Sequence, residues 1–259
     1  MRGLKEKAVL VTGAGSGIGA ACVRRLLAEG ARVAAADLDQ AAAEAVLAES
    51  GRSDCGFAMA VDVSSAEETA AFARAAHERL GRLHGLVNCA GIKGVGNILD
   101  VQPEAWRQVM AVNVDGTVNM SQAFAQIAVA DVYKGEKETR SIVNISSGAG
   151  LMGVPNRLPY VASKFAISGI TRTMCNELAK YKIRVNAVAP GMTRTPFTAY
   201  MFQDPENVKR IRAAHPIGRE ADPEEIAAAI VFLLSDDASF ITGSIVAVDG
   251  GSTACIPSH

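Results

Sequence analysis

A single α/β domain, built as a doubly wound parallel sheet of about seven strands with helices on both faces, is predicted by three features of this chain. Short β-branched apolar runs alternate with longer helical segments along all 259 residues, the pattern that stacks helices on a parallel sheet. Several of the runs are continuously apolar, as strands buried on both faces are. A glycine-rich turn, Thr12-Gly13-Ala14-Gly15-Ser16-Gly17-Ile18-Gly19, joins the first strand-like run to the first helical segment.

Strands are expected at 8–12, 32–37, 56–62, 85–88, 141–146, 184–189 and 244–248. Helices are expected at 17–29, 39–49, 66–80, 103–130, 159–180, 207–213 and 223–234. The punctuation agrees. Gly30 and Gly81 follow two helices where a left-handed residue is wanted. Ser64 and Ser65 precede Glu67 and Glu68 in a capping pattern. Asp222-Pro223-Glu224-Glu225 supplies an N-cap, a first-turn proline and acids at the positive helix end. The polar stretch 131–140 reads as a surface loop. The stretch 192–216, with Pro196, Asp204-Pro205 and Pro216, reads as a loop and short helix crossing the sheet edge, a place for a lid.

Composition narrows the function classes. Hydrophobic residues are 49% and charged residues 20%, with a formal net charge of −1. That balance gives no reason to expect nucleic acid or an anionic membrane as a partner. No run approaches the roughly 18 apolar residues of a membrane span. The opening residues 1–7 have no apolar core of signal-peptide length, so a cytoplasmic location is expected. Cys22, Cys55, Cys89, Cys175 and Cys255 are scattered without a Cys-x-x-Cys pair, and His77, His84, His215 and His259 lack ligand spacing. No metal is expected. His215 alone falls where a substrate could border it.

The glycine turn suits a phosphate. Glycine serves where the backbone turns sharply and a phosphate comes closer than a Cβ allows. The helix opening at Gly17 adds free N–H groups and a positive dipole end. Gly13, Ser16, Gly17, Ile18 and Gly19 are therefore candidate cofactor contacts. Asp37 ends the second strand, where an acid accepts hydrogen bonds from the adenosine ribose and repels a 2′-phosphate. Ser16, Leu38 and Asp39 supply no cation, so NAD is expected over NADP. Tyr160 and Lys164 lie one helical turn apart and share a face. A nearby ammonium favours the phenolate and would lower the tyrosine pKa toward working pH.

With these residues in place, the chain resembles the short-chain dehydrogenase/reductase family over essentially its whole length. The loop reads TGAGSGIG, and Asp62-Val63 stands where the family contacts adenine. Asn88-Cys89-Ala90-Gly91 matches Asn-Asn-Ala-Gly except at Cys89. Asn113, Ser147, Tyr160-x-x-x-Lys164 and Pro190-Gly191-Met192-Thr193 follow in order. The resemblance implies a Rossmann-like fold, with a cofactor-binding half at about 1–140 and a catalytic and substrate-binding half at about 141–259. It implies that Tyr160 is the general acid/base and that Lys164 tunes it and bonds the nicotinamide ribose. Ser147 would hydrogen-bond the substrate oxygen, and Asn113 would anchor a water leading from Lys164. Ser146 adjoins Ser147 and is not excluded by sequence. Asp62, Val63, Asn88, Ala90, Gly91, Pro190, Gly191, Thr193 and Thr195, with Tyr160 and Lys164, are further implied cofactor contacts.

Substrate recognition is expected in 148–159 and 192–216. Met152, Val154, Pro155, Phe197, Tyr200, Met201 and Phe202 could form an apolar wall, and Asn156, Arg157, Arg194 and His215 could supply polar contacts. The expected reaction is NAD-dependent oxidation of a secondary alcohol on a small polar molecule such as a polyol, sugar or hydroxy acid. Reduction of a 3-oxoacyl thioester on acyl-carrier protein or CoA is the alternative, and an NAD-binding redox sensor the non-enzymatic one. The resemblance further implies a homotetramer, a dimer of dimers, paired through 103–130 and 159–180 and through 223–234 and 244–248. Ala162, Ala166, Gly169 and Ala179 would let one helix approach a partner closely. The tail after Gly250-Gly251, ending Ile256-Pro257-Ser258-His259, is expected to cover a neighbouring site.

Overall fold

The computed structural model describes residues 1–49, 51–52, 55–133 and 138–255. Its first half runs β1 (Ala8–Thr12), α1 (Gly17–Ala28), β2 (Arg32–Asp37), α2 (Gln40–Glu49), β3 (Gly56–Ala60), α3 (Ala66–Leu80) and β4 (Leu83–Asn88). Then come α4 (Pro103–Met110), a π-helical turn (Ala111–Asp115), α5 (Gly116–Tyr133), β5 (Arg140–Ile145) and α6 (Leu158–Ala179). The chain continues through β6 (Ile183–Pro190), α7 (Pro205–Ala213), α8 (Pro223–Leu234) and β7 (Ile245–Val248). All the strand pairs are parallel, in the order β3-β2-β1-β4-β5-β6-β7. The order reverses between β1 and β4, and a crevice opens there at the carboxyl ends of the strands, the usual ligand position in such sheets.

Strand side chains alternate between two buried layers. On one face Val9, Val11, Val33, Val87, Val143 and Val188 pack with Cys22 and Leu26 of α1 and with Ile226 and Ile230 of α8. On the other, Leu10, Ala34, Leu86, Ile142 and Val185 pack with Phe72 of α3 and with Met120 and Phe124 of α5. Both faces are dry, which is why the strands read as unbroken apolar runs. The predicted punctuation is present. Ser65 Oγ accepts the Glu68 N–H at 3.2 Å, and Gly30 and Gly81 take φ of +84° and +73°.

Three expectations need correction. The helix expected at 103–130 is interrupted by the π turn, which turns Asn113 toward the β4 loop. The loop expected at 131–140 is ordered at both ends: Asp131 finishes in α5 and Arg140 opens β5. The Arg140 guanidinium is buried, donating to Leu83 O at 3.0 Å and to Asp131 Oδ2 at 3.4 Å. Burying one charge requires the other, so Asp131 and Arg140 form a buried pair, while Glu138 and Thr139 are exposed as expected. Residues 134–137 of that stretch, and the tail 256–259, lie outside the described residues. Finally, α7 begins at Pro205, earlier than expected, because Asp204 caps it through the Glu206 N–H at 3.0 Å.

Candidate active site

The crevice floor is the turn between β1 and α1. Thr12 Oγ1 accepts the N–H groups of Cys89 and Ala90, both at 3.1 Å, and so ties the end of β1 to the loop after β4. Gly13 has φ +65°, and a Cβ there would sit 2.9 Å from the Ala90 backbone. A Cβ on Gly19 would fall 2.0 Å from Gly13 O, so the first turn of α1 rests directly on the loop. Ser16, Gly17 and Ile18 lead into that turn, where unpaired N–H groups point outward. The Asp37 carboxylate accepts the N–H of Gly15 at 2.8 Å and of Asp39 at 3.1 Å. It is thereby fixed beside the glycine loop as an acceptor, and no cation pairs with it among the described residues.

The flanks follow from the other strand ends. Asp62 Oδ1 accepts both the N–H and the hydroxyl of Ser64, and Val63 packs against Gly116. Ala90 and Gly91 continue the loop beside Asn113 and Lys164. The Asn88 side chain turns away from the crevice, donating to Ser121 Oγ at 2.9 Å and Asn144 Oδ1 at 2.8 Å. Its Nδ2 is spent there, while its buried Oδ1 has no partner among the described residues. Asn113 Oδ1 accepts the Ile92 N–H at 2.8 Å, while Nδ2 donates to Ile92 O and Ser163 Oγ, each at 3.0 Å. That amide is a clamp between the β4 loop and α6, and the water-anchoring role implied for Asn113 would fall to its main chain.

Ser147 follows β5, and Tyr160 and Lys164 face it from α6. The Ser147 hydroxyl faces the Tyr160 phenol closely enough to act on its pKa. Burial pushes the Tyr160 phenol above its ordinary pKa, while the Ser147 hydroxyl and then the Arg157 charge oppose that rise. Ser147 and Arg157 thus act on the phenol besides the pull expected of Lys164. Lys164 Nζ donates to Ile145 O at 2.8 Å and lies 5.5 Å from the Tyr160 ring centre. Burial lowers the Lys164 ammonium to about 8 and raises the neighbouring Cys89 thiol to about 12. Ser146 is structural: its buried hydroxyl donates to Lys164 O at 3.1 Å.

The far wall follows β6. The Gly191 N–H donates to Val248 O at 3.0 Å, and a Cβ on Gly191 would strike Asp249 Cα at 2.7 Å. His215 Nε2 accepts the Met192 N–H at 3.1 Å, so Nδ1 carries the proton and donates to Ile211 O at 2.6 Å. This neutral imidazole fixes the turn after Pro190. Thr193 donates to Gly191 O, and the Thr195 methyl closes over Gly17. The two halves of the crevice therefore meet. Phe197 lies 6.2 Å from the Tyr160 ring. Met152, Val154, Phe197 and Tyr200 expose apolar surface around the mouth. Sequence reasoning missed Thr12 and Ser163 as positioning residues. Ser163 donates to Tyr160 O at 2.8 Å and receives Asn113; the only sequence signal for it was a serine inside the Tyr-x-x-x-Lys turn.

Comparison with known proteins agrees with this geometry. Residues 13–253 match the family described as enoyl-(acyl carrier protein) reductase. The chain is 44% identical to 2-(S)-hydroxypropyl-CoM dehydrogenase 3 of Xanthobacter autotrophicus, over 97% of this chain and 98% of that one. It superposes with a TM-score of 0.89 at 35% identity on a 3-ketoacyl-(acyl-carrier-protein) reductase of Brucella melitensis complexed with NADH, covering 96% of this chain and 99% of that one. A short-chain type dehydrogenase/reductase of Mycobacterium ulcerans gives 0.90 at 31% identity, covering 96% and 90%. Fold, ordered motifs and whole-length likeness agree, and the chain belongs to the short-chain dehydrogenase/reductase family of oxidoreductases.

Proposed function

We propose that this protein oxidises a secondary alcohol on a small polar substrate with NAD. The observation that carries the reading is the Ser147 hydroxyl facing the Tyr160 phenol at the mouth of a crevice whose floor holds a carboxylate, Asp37, against the glycine loop. The residues fit a dinucleotide: Gly13 and Gly19 leave no room for a Cβ, and the N–H groups opening α1 suit a pyrophosphate. Asp37 would take the ribose hydroxyls and oppose a 2′-phosphate. When bound, NAD supplies the hydride acceptor. Tyr160 takes the hydroxyl proton, Ser147 holds the same oxygen, and Lys164 keeps positive charge near the phenolate that removes it. The half-buried Cys89 and the buried Asn113 and Ile145 lie around the buried Lys164.

The relative from Xanthobacter, named for a 2-hydroxypropyl alcohol, supports the oxidative reading. The Brucella structure favours a second one, reduction of a 3-oxoacyl thioester, because that reductase is complexed with NADH. Following NADH absorbance in both directions across polyols, sugars, hydroxy acids and oxoacyl thioesters separates the two. No change with any of them would leave only an NAD-binding sensor, a role that gives the facing Ser147 hydroxyl and Tyr160 phenol nothing to do.

A homotetramer and a cytoplasmic location complete the reading. Exposed Phe165 and Gly169 lie one turn apart on α6, Phe232 is exposed on α8, and Val118 on α5, which supports pairing through those helices. Light scattering giving a monomer mass would refute the tetramer.

A further inference from the structure

The mouth of the cleft gathers two cations that lack counter-charges. The loop after β4 is bonded to the turn before α6: Gly96 N–H donates to Asn156 O at 3.1 Å, and Leu158 N–H donates to Gly96 O at 3.0 Å. That bridge sets Lys93 beside Arg157. Gly94 is so close to the start of α6 that a Cβ would fall 3.1 Å from Tyr160 N. The third segment, after β6, brings in Tyr200. Lys93 Nζ stands 4.4 Å from the centre of the Tyr200 ring, and Arg157 Nη2 donates to its hydroxyl at 2.5 Å. A phenol orients both cations but cancels neither charge.

Other arginines of this wall differ. Arg194 and Arg212 both bond Glu220, whose carboxyl they hold at about 2. Among the described residues no carboxylate pairs with Lys93 or Arg157. Arg157 also uses only one of its five N–H donors on Tyr200, leaving edges for a bidentate acceptor. It is the N-cap of α6, three residues before the catalytic tyrosine, near enough to pull the Tyr160 pKa down.

We propose that Lys93 and Arg157, oriented by Tyr200, form an anion-binding end of the substrate cleft, so that the alcohol presented to Tyr160 carries a carboxylate or like anion. The assignment rests on the alcohol-dehydrogenase reading above, and it narrows the polar substrate to a short anionic one. A sugar or polyol would leave both charges to water, whereas an anion would pair with them directly.

The test compares matched acid and neutral substrates and reads binding separately from turnover. 3-Hydroxybutyrate and its methyl ester are followed by NADH absorbance. Propionate, propane-1-sulfonate and propionamide are titrated into the enzyme–NADH complex by fluorescence. Wild type is expected to prefer the acid over the ester by about tenfold or more in kcat/KM, and to lose that margin in salt. Lys93→Gln and Arg157→Gln should each shrink the ratio by about tenfold, mainly through KM, with Arg157→Lys restoring part of it. Tighter binding of propionate or propane-1-sulfonate than of propionamide, lost in both glutamine variants, supports the subsite even if no alcohol is oxidised. That outcome would sink the dehydrogenase reading alone. Equal use of acid and ester by wild type, or an unaltered ratio in both variants, overturns the proposal while leaving the dehydrogenase intact.

Discussion

Replacing Lys164 with methionine should stabilise the fold at neutral pH while removing the cation proposed to stand near the phenolate. The side chain is 6% exposed, and burial carries its pKa from 10.5 down to about 8. A lysine that binds its proton more weakly in the fold than in the unfolded chain lowers stability while it is charged. That cost is fully present below about 8 and is relieved as pH rises toward 10.5. At pH 7 it amounts to about 3 kcal/mol. Methionine removes the charge but leaves Ile145 O without its 2.8 Å donor, which costs about 1 kcal/mol. The net gain is about 2 kcal/mol at pH 7, shrinking to near zero at pH 10, where about 1 kcal/mol of the original cost is left. Urea unfolding of both proteins at one fixed concentration, read from Trp106 fluorescence, measures the difference at the two pH values. A difference independent of pH, or one that grows with pH, would refute the placement of a titrating ammonium in that pocket.

Four other outcomes are expected. Tyr160→Phe should keep NADH affinity in a fluorescence titration and lose turnover by at least about a hundredfold; near-normal rates would remove the phenol from the chemistry. Asp37→Ser should narrow the kinetic preference for NAD over NADP, since the carboxylate held by Gly15 is what opposes a 2′-phosphate; unchanged selectivity contradicts that. Gly19→Ala places a methyl 2.0 Å from Gly13 O, so NADH binding should collapse while circular dichroism shows the helices retained. Glu220, held at about 2 by Arg212 and Arg194, adds stability that is present above 4.5 and lost as pH falls toward 2. Acid unfolding of Glu220→Gln should therefore be less steep across that window than wild type, and equal slopes would count against the bridge.

The fold was legible because its strands are buried on both faces, a condition that writes itself as unbroken Val, Leu and Ala runs between capped helices. Tyr160 and Lys164 were legible for a related reason: helix geometry puts residues one turn apart on one face whatever surrounds them. What surrounds them was not legible. Burial decides whether a lysine is a free cation or a penalised one, and it depends on Cys89, Ile145 and Gly91, which come from other strands. Ser147 across the crevice and Arg157 at the mouth also act on Tyr160, and neither is announced by the helix spacing of Lys164. The misread stretch 131–140 fails for the same cause, since Asp131 and Arg140 count as surface charge until the fold buries them against each other. Local spacing reports which groups can meet, whereas their protonation is set by long-range packing. Arg157 draws these together, because it is the one charged group that both faces the substrate mouth and lowers the pKa of the base. An anion bound there would weaken that pull, so Tyr160 in the ternary complex should titrate higher with 3-hydroxybutyrate than with its ester, and pH–rate profiles for the two substrates that coincide would show that Arg157 does not couple recognition to proton transfer.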